Sequence, residues 1–145
     1  TMSFWKKPAE SAGYLSGVAF FEGFSNEDLA RVASLSGELK VGSGAMVIDQ
    51  GDTGVDCYVI MEGTASVRVR DEEVATLGSG DMVGEMALID HRPRTASVVA
   101  TTDMHLLRFN SRQFRQLLTE MPKAEERVMT MLTERLRAEG GPSNE

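Results

Sequence analysis

Between Glu38 and Phe109 the chain is a succession of short β-rich runs separated by glycines, and this pattern limits its architecture more than any other feature. The runs are AMVID (45–49), DCYVIME (56–62), TASVRVR (64–70), EVATL (73–77), TASVVA (95–100) and MHLLRF (104–109). In TASVRVR, Ala65, Val67 and Val69 alternate with Ser66, Arg68 and Arg70, the period-2 signature of a half-buried strand. Gly51, Gly63, Gly78 and Gly80 fall between runs, at turns where glycine takes a positive φ at little cost. Short strands repeated at this spacing predict a compact sandwich or barrel.

The flanks follow a helical period instead. Ser25-Asn26-Glu27-Asp28 resembles a capping box, and it opens an amphipathic helix with Leu29, Val32, Ala33 and Leu35 on the buried side. After Phe109 the alternation stops. Ser111 is placed to cap a short helix to about Glu120, and Pro122 suits the first position of a longer one. That helix is expected to reach about Ala138, before Gly140-Gly141. The 145 residues hold one core and not two. The expected organisation is a flexible segment 1–12 and a single domain 13–145, with a helical part 13–37, strands over 38–110 and helices over 111–139.

Composition narrows the function. The formal net charge is −7 and the basic residues are scattered among acids. Nucleic-acid surfaces cluster Lys and Arg to displace counterions, so a nucleic-acid partner is not expected. A local pocket can still hold one small phosphate. No apolar run approaches the roughly 18 residues of a membrane span, and the N-terminus shows no signal-peptide pattern, so no membrane partner is expected. Cys57, the one cysteine, cannot form an internal disulfide, and its place in CYVIM predicts a buried thiol. That fits a reducing compartment, and the cytoplasm is the expected location. His91 and His105 stand apart from any Cys or carboxylate cluster of metal-ligand spacing, so neither a metal nor another cofactor is expected. Met82, Met86, Met129 and Met131 read as packing, while Phe4 and Trp5 serve either the core or a partner.

The chemistry concentrates in VGEMALIDHRPRTASV, residues 83–98, which interrupts the strand pattern. Gly84-Glu85-Met86-Ala87-Leu88 reads as one helical turn between two strands. The start of such a turn leaves N–H groups unpaired, and these attract an anion. Gly84 lets backbone and ligand approach closely, and Ala87 keeps the way to its own N–H open. Pro93 turns the chain back, so that Arg94 can set a two-pronged guanidinium on phosphate oxygens. Glu85, an acceptor when ionised, suits a sugar hydroxyl. A carboxylate and a guanidinium in this setting suit a ligand with both sugar and phosphate.

This segment resembles the phosphate-binding cassette of the cyclic-nucleotide-binding domain family. The family includes the catabolite activator protein, regulatory subunits of protein kinase A and cyclic-nucleotide-gated channels. Asp49-Gln50-Gly51-Asp52, Tyr58-Val59-Ile60 with Glu62-Gly63, and Gly80-Asp81 stand where the family has its glycine turns. Val83 replaces the usual Phe, which changes packing beneath the cassette (83–97) and leaves the polar contacts alone.

The resemblance implies an α+β, mainly β fold: an antiparallel, jelly-roll-like β-roll of about eight strands with helices before and after. It implies that Glu85 binds the ribose 2′-hydroxyl and Arg94 the cyclic phosphate, in a cassette that includes Gly84 and Ala96. Main-chain N–H groups of Met86, Ala87 and Thr95 add phosphate or sugar contacts, and Val67, Ala75 and Leu77 line the base. The Thr95 side chain is a candidate contact to guanine. Leu132 and Arg135 on the last helix are candidate lid residues, on an apolar stripe with Val128 and Leu136 suited to the roll or the purine face.

The expected function is a non-enzymatic sensor of cAMP or cGMP, cAMP favoured, that signals to a downstream protein by movement of the last helix. It is expected as a monomer or a weak homodimer through that helix. One alternative is the effector half of a transcription regulator, whose DNA-binding part is absent from this chain. An enzyme acting on cyclic nucleotides lacks a metal cluster or nucleophile–base pair. A scaffold without ligand is disfavoured by the intact Glu85 and Arg94.

Overall fold

Among the described residues, eight strands form two four-stranded antiparallel sheets that share an apolar interior. The computed structural model describes residues 15–53, 56–85, 88 and 93–138; the segment 1–12, with Phe4 and Trp5, together with Met86, Ala87 and His91, lies outside them. Strands β1 (Gly37–Val41), β8 (Met104–Asn110), β3 (Asp56–Glu62) and β6 (Met82–Val83) make one sheet in that order. The other runs β2 (Met46–Ile48), β7 (Ser97–Ala100), β4 (Ala65–Val69), β5 (Glu72–Leu77). Before the roll come a 3₁₀ turn (Ala19–Phe21) and helix α1 (Asn26–Leu35); after it come α2 (Ser111–Glu120) and α3 (Pro122–Ala138). This is the mainly β, antiparallel roll with flanking helices that the sequence implies.

Strand β3 explains the unbroken apolar run CYVIM. Its odd residues Cys57, Val59 and Met61 enter a core shared with the helices, while Tyr58 and Ile60 enter the roll interior. Strand β8 divides the same way, with Leu107 and Phe109 toward the helices and Met104 and Leu106 toward the roll. The first sheet is thus covered on both faces. Phe109 is fully buried, and its truncation to alanine should cost about 3–5 kcal/mol through the cavity it leaves. Cys57 is buried as expected, and burial pushes its thiol pKa up, which keeps it protonated and unreactive.

Three local expectations change. Asn110, not Ser111, caps α2: its side chain accepts from the Gln113 N–H at 2.8 Å, and the Gln113 side chain accepts from the Asn110 N–H at 2.8 Å. The reciprocal pair satisfies two donors at once, which Ser111 inside the helix could not do. Ser66, on the polar side of the β4 alternation, is only 2% exposed; its hydroxyl donates to Glu73 at 2.6 Å and accepts from Arg68 at 3.4 Å. Gly51, Gly63 and Gly80 do take positive φ, whereas Gly78 does not; its N–H is held by the Asp81 carboxylate at 2.8 Å.

The helices are tied by charge. Arg31 on α1 meets Glu120 on α2 in a two-pronged pair, both N···O distances 2.7 Å. On α3, Arg127 donates to the carbonyls of Ala19 (3.0 Å), Phe20 (2.9 Å) and Glu22 (2.5 Å), and Lys123 donates to Gly23 (2.7 Å). These bonds hold α3 against the turn that precedes α1.

Candidate functional site

Arg94 is fixed at both its main chain and its side chain. Gly51 donates its N–H to the Arg94 carbonyl, and Arg94 donates its own to Asp52, each at 2.8 Å. Thr53 and Pro93 form an isolated antiparallel bridge beside this pair. The loop after β2 therefore runs as a strap along the segment carrying Arg94. The guanidinium donates to the Gly84 carbonyl at 2.9 Å and also to the Asp56 carbonyl. Among the described residues these take two of its five N–H donors.

Gly84 is required by this geometry. Its φ is +86°, and a Cβ there would stand 2.5 Å from Arg94 Nη1 and 3.1 Å from the Asp56 carbonyl oxygen. Both the backbone angle and the space exclude other residues. The next residue, Glu85, is helical and half-buried. Burial pushes its carboxyl pKa up, against a main-chain hydrogen bond and the Arg94 charge, which both draw it down. Glu85 also lines a cavity of about 340 Å³ with Phe20, Met82, Arg127 and Met131.

Gly84, Glu85 and Arg94 thus come together, and Thr95 (exposed) and Ala96 (half-buried) follow between Arg94 and β7. The Met86 and Ala87 expectations lie outside the described residues. On the opposite sheet, Val67 pairs with Ala75 and Ala65 with Leu77. Val67 and Leu77 pack on the roll interior, the same cluster that holds Ile48 and Val98, while Ala75 is exposed. Ile48 also reaches Gly84, its Cδ1 3.2 Å from where a Cβ would stand, so one interior joins the cassette to the second sheet.

The stripe on α3 goes elsewhere. Val128 is buried in the helical core and Leu132 packs against it, not against the roll; Leu136 is 51% exposed and Met129 60%. The packing role expected for Met129 is therefore not met, whereas Met82 and Met131 do pack on the helical core. Arg135, half-buried, lies three residues beyond Leu132. Sequence reasoning missed the Asp56 carbonyl as an Arg94 partner and the strap as its main-chain support. The glycine turn at Asp49-Gln50-Gly51-Asp52 was the available sign. Among the described residues, no group of three or more His, Cys, Asp or Glu could hold a metal ion. No described helix is long and apolar enough to cross a membrane.

A guanidinium beside a half-buried carboxylate, at one end of an apolar interior, has the chemistry for a ligand with phosphate, sugar and flat base. Comparison with known proteins gives the family. Residues 38–121 match the model of the cyclic nucleotide-binding domain, and the chain belongs to that family. It is 36% identical over 109 residues to a cAMP-dependent protein kinase type II regulatory subunit of Drosophila melanogaster, covering 72% of this chain and 29% of the relative. It is 31% identical over 131 residues to a cyclic nucleotide-gated potassium channel of Rhizobium etli, covering 90% of this chain and 36% of the relative. The chain spans about a third of the length of these curated relatives. The Thermus thermophilus catabolite activator protein structure superposes with a TM-score of 0.74 at 28% identity, covering 82% of this chain and 58% of that one.

Proposed function

We propose that the chain is a non-enzymatic sensor of a purine 3′,5′-cyclic monophosphate, cAMP in preference to cGMP, acting in the cytoplasm. The observation that carries this reading is Arg94, braced on the Gly84 and Asp56 carbonyls immediately beside Glu85. In the proposed complex Arg94 holds the cyclic phosphate with its remaining donors, and Glu85 accepts from the ribose 2′-hydroxyl. Main-chain N–H groups of the cassette add to both, and Val67, Ala75 and Leu77 face the base. The output is movement of α3 toward a downstream protein, with Leu132 and Arg135 as the lid residues. Movement of α3 relative to residues 19–23 breaks the Arg127 and Lys123 bonds to them.

Parallel calorimetric titrations with cAMP and cGMP test the reading. Micromolar or tighter binding of at least one, about −8 kcal/mol, is expected. Absence of heat and of thermal shift with both at millimolar concentration would overturn it. Thr95→Ala should weaken cGMP more than cAMP, if the hydroxyl reaches a guanine amino group; equal losses reduce Thr95 to a phosphate contact.

A further inference from the structure

We propose that Gln50 is a positioning residue that fixes the arm carrying Arg94 relative to the β4–β5 hairpin. The inference rests on the cyclic-nucleotide reading above. Gln50 sits at the start of the strap, and its N–H donates to the Ser97 hydroxyl at 2.9 Å, on the strand that continues from Arg94. The next two residues, Gly51 and Asp52, make the paired main-chain bonds to Arg94. Its side chain reaches the other way. The Gln50 amide oxygen accepts from the Arg70 N–H at 3.0 Å, at the tip of the hairpin.

That tip needs holding. Arg70 and Asp71 both have positive φ, 52° and 69°, in a two-residue turn that favours Asn-Gly. Neither residue has glycine's freedom, so the turn persists through outside contacts: Gln50 on the Arg70 N–H, and the Arg68 guanidinium on the Asp71 carbonyl at 2.6 Å. The hairpin carries Val67, Ala75 and Leu77, the proposed base wall. Gln50 therefore bonds to the phosphate arm through its main chain and to the base wall through its side chain. A ligand that must touch both surfaces is sensitive to the distance between them.

The experiment compares cAMP and cGMP affinity of the parent with Gln50→Ala, Gln50→Met and Gln50→Glu, alongside amide exchange at Arg70. Alanine and methionine remove the acceptor oxygen, and each should weaken binding about three- to tenfold, the range of one lost hydrogen bond. Glutamate keeps an acceptor and should bind within about twofold of the parent, with Arg70 protected as in the parent. The thermal midpoint without nucleotide reports general destabilisation, which predicts no such difference between methionine and glutamate. Parent-like affinity in the alanine and methionine variants, or an equal loss in glutamate, overturns the inference while leaving the sensor reading intact. A parent that binds neither nucleotide overturns both.

Discussion

The Arg94 guanidinium donates to the main-chain carbonyl of Gly84 at 2.9 Å, and this contact exists because Gly84 has no side chain. Gly84→Ala would place a methyl 2.5 Å from Arg94 Nη1 on a backbone at φ +86°. The cost should be about 1–3 kcal/mol of stability, with weaker nucleotide binding because the guanidinium is displaced. Chemical denaturation and titration of the same sample measure the two effects. An alanine variant with unchanged stability and affinity would refute the packing described.

Arg94→Ala should cost about 2–4 kcal/mol of binding, because a desolvated phosphate loses its main partner. Arg94→Lys should recover only part, since one ammonium cannot brace on two carbonyls and also grip two phosphate oxygens. Isothermal titration separates the three proteins, and parent-like binding by the alanine variant would remove Arg94 from the pocket.

Affinity should fall in mild acid. Burial raises the Glu85 carboxyl above its ordinary 4.5, so it takes up a proton at a higher pH than an exposed carboxylate. The ionised form is the better acceptor for a sugar hydroxyl, so binding weakens as pH is lowered from neutrality toward the raised value. The same shift means that Glu85 favours the folded state below 4.5 and that this contribution is lost as pH rises through the folded value. Dissociation constants measured from pH 7 downward should lose this dependence in Glu85→Gln.

Acid should also loosen the contact between α1 and α2. The Arg31 hydrogen bonds, helped by Gln116, hold the Glu120 carboxyl at about 2 instead of 4.5. A depressed carboxyl stabilises the fold above its unfolded value, and this contribution is lost as pH falls from about 4.5 to about 2. The pair is solvent-exposed, so the effect is small and screened by salt. Melting curves of the parent should drop more steeply across that window than those of Glu120→Gln.

The proposed movement of α3 can be tested through its anchors. Arg127→Ala removes bonds to three carbonyls of residues 19–22 and should speed hydrogen exchange along the helix in the absence of nucleotide. If Arg135 touches the base, Arg135→Ala should weaken binding by about 1 kcal/mol. Protection across residues 122–138 that stays the same at saturating cAMP would show that α3 does not respond to ligand.

Local pattern made much of this protein legible before folding. Period 2 marked the alternation of β4, period 3.6 marked Leu29, Val32, Ala33 and Leu35, and the order Gly84, Glu85, Pro93, Arg94 located the chemistry. These are properties of neighbours in the chain, which periodicity reports directly. Strand β6, two residues long, is too short to carry a period, whereas β1 (GELKV) alternates, with Leu39 and Val41 packed on the roll. The tertiary structure alone decided what the polar groups meet. The Arg94 guanidinium reaches the carbonyl of Asp56, 38 positions away, and Arg127 reaches Ala19, 108 positions away. Ser66 is covered by Glu73 because β4 and β5 pair in one register, with an irregularity between Val67 and Arg68. Hydrogen bonds have short reach and strict geometry, so their partners follow from how sheets close and helices dock, which no local pattern encodes.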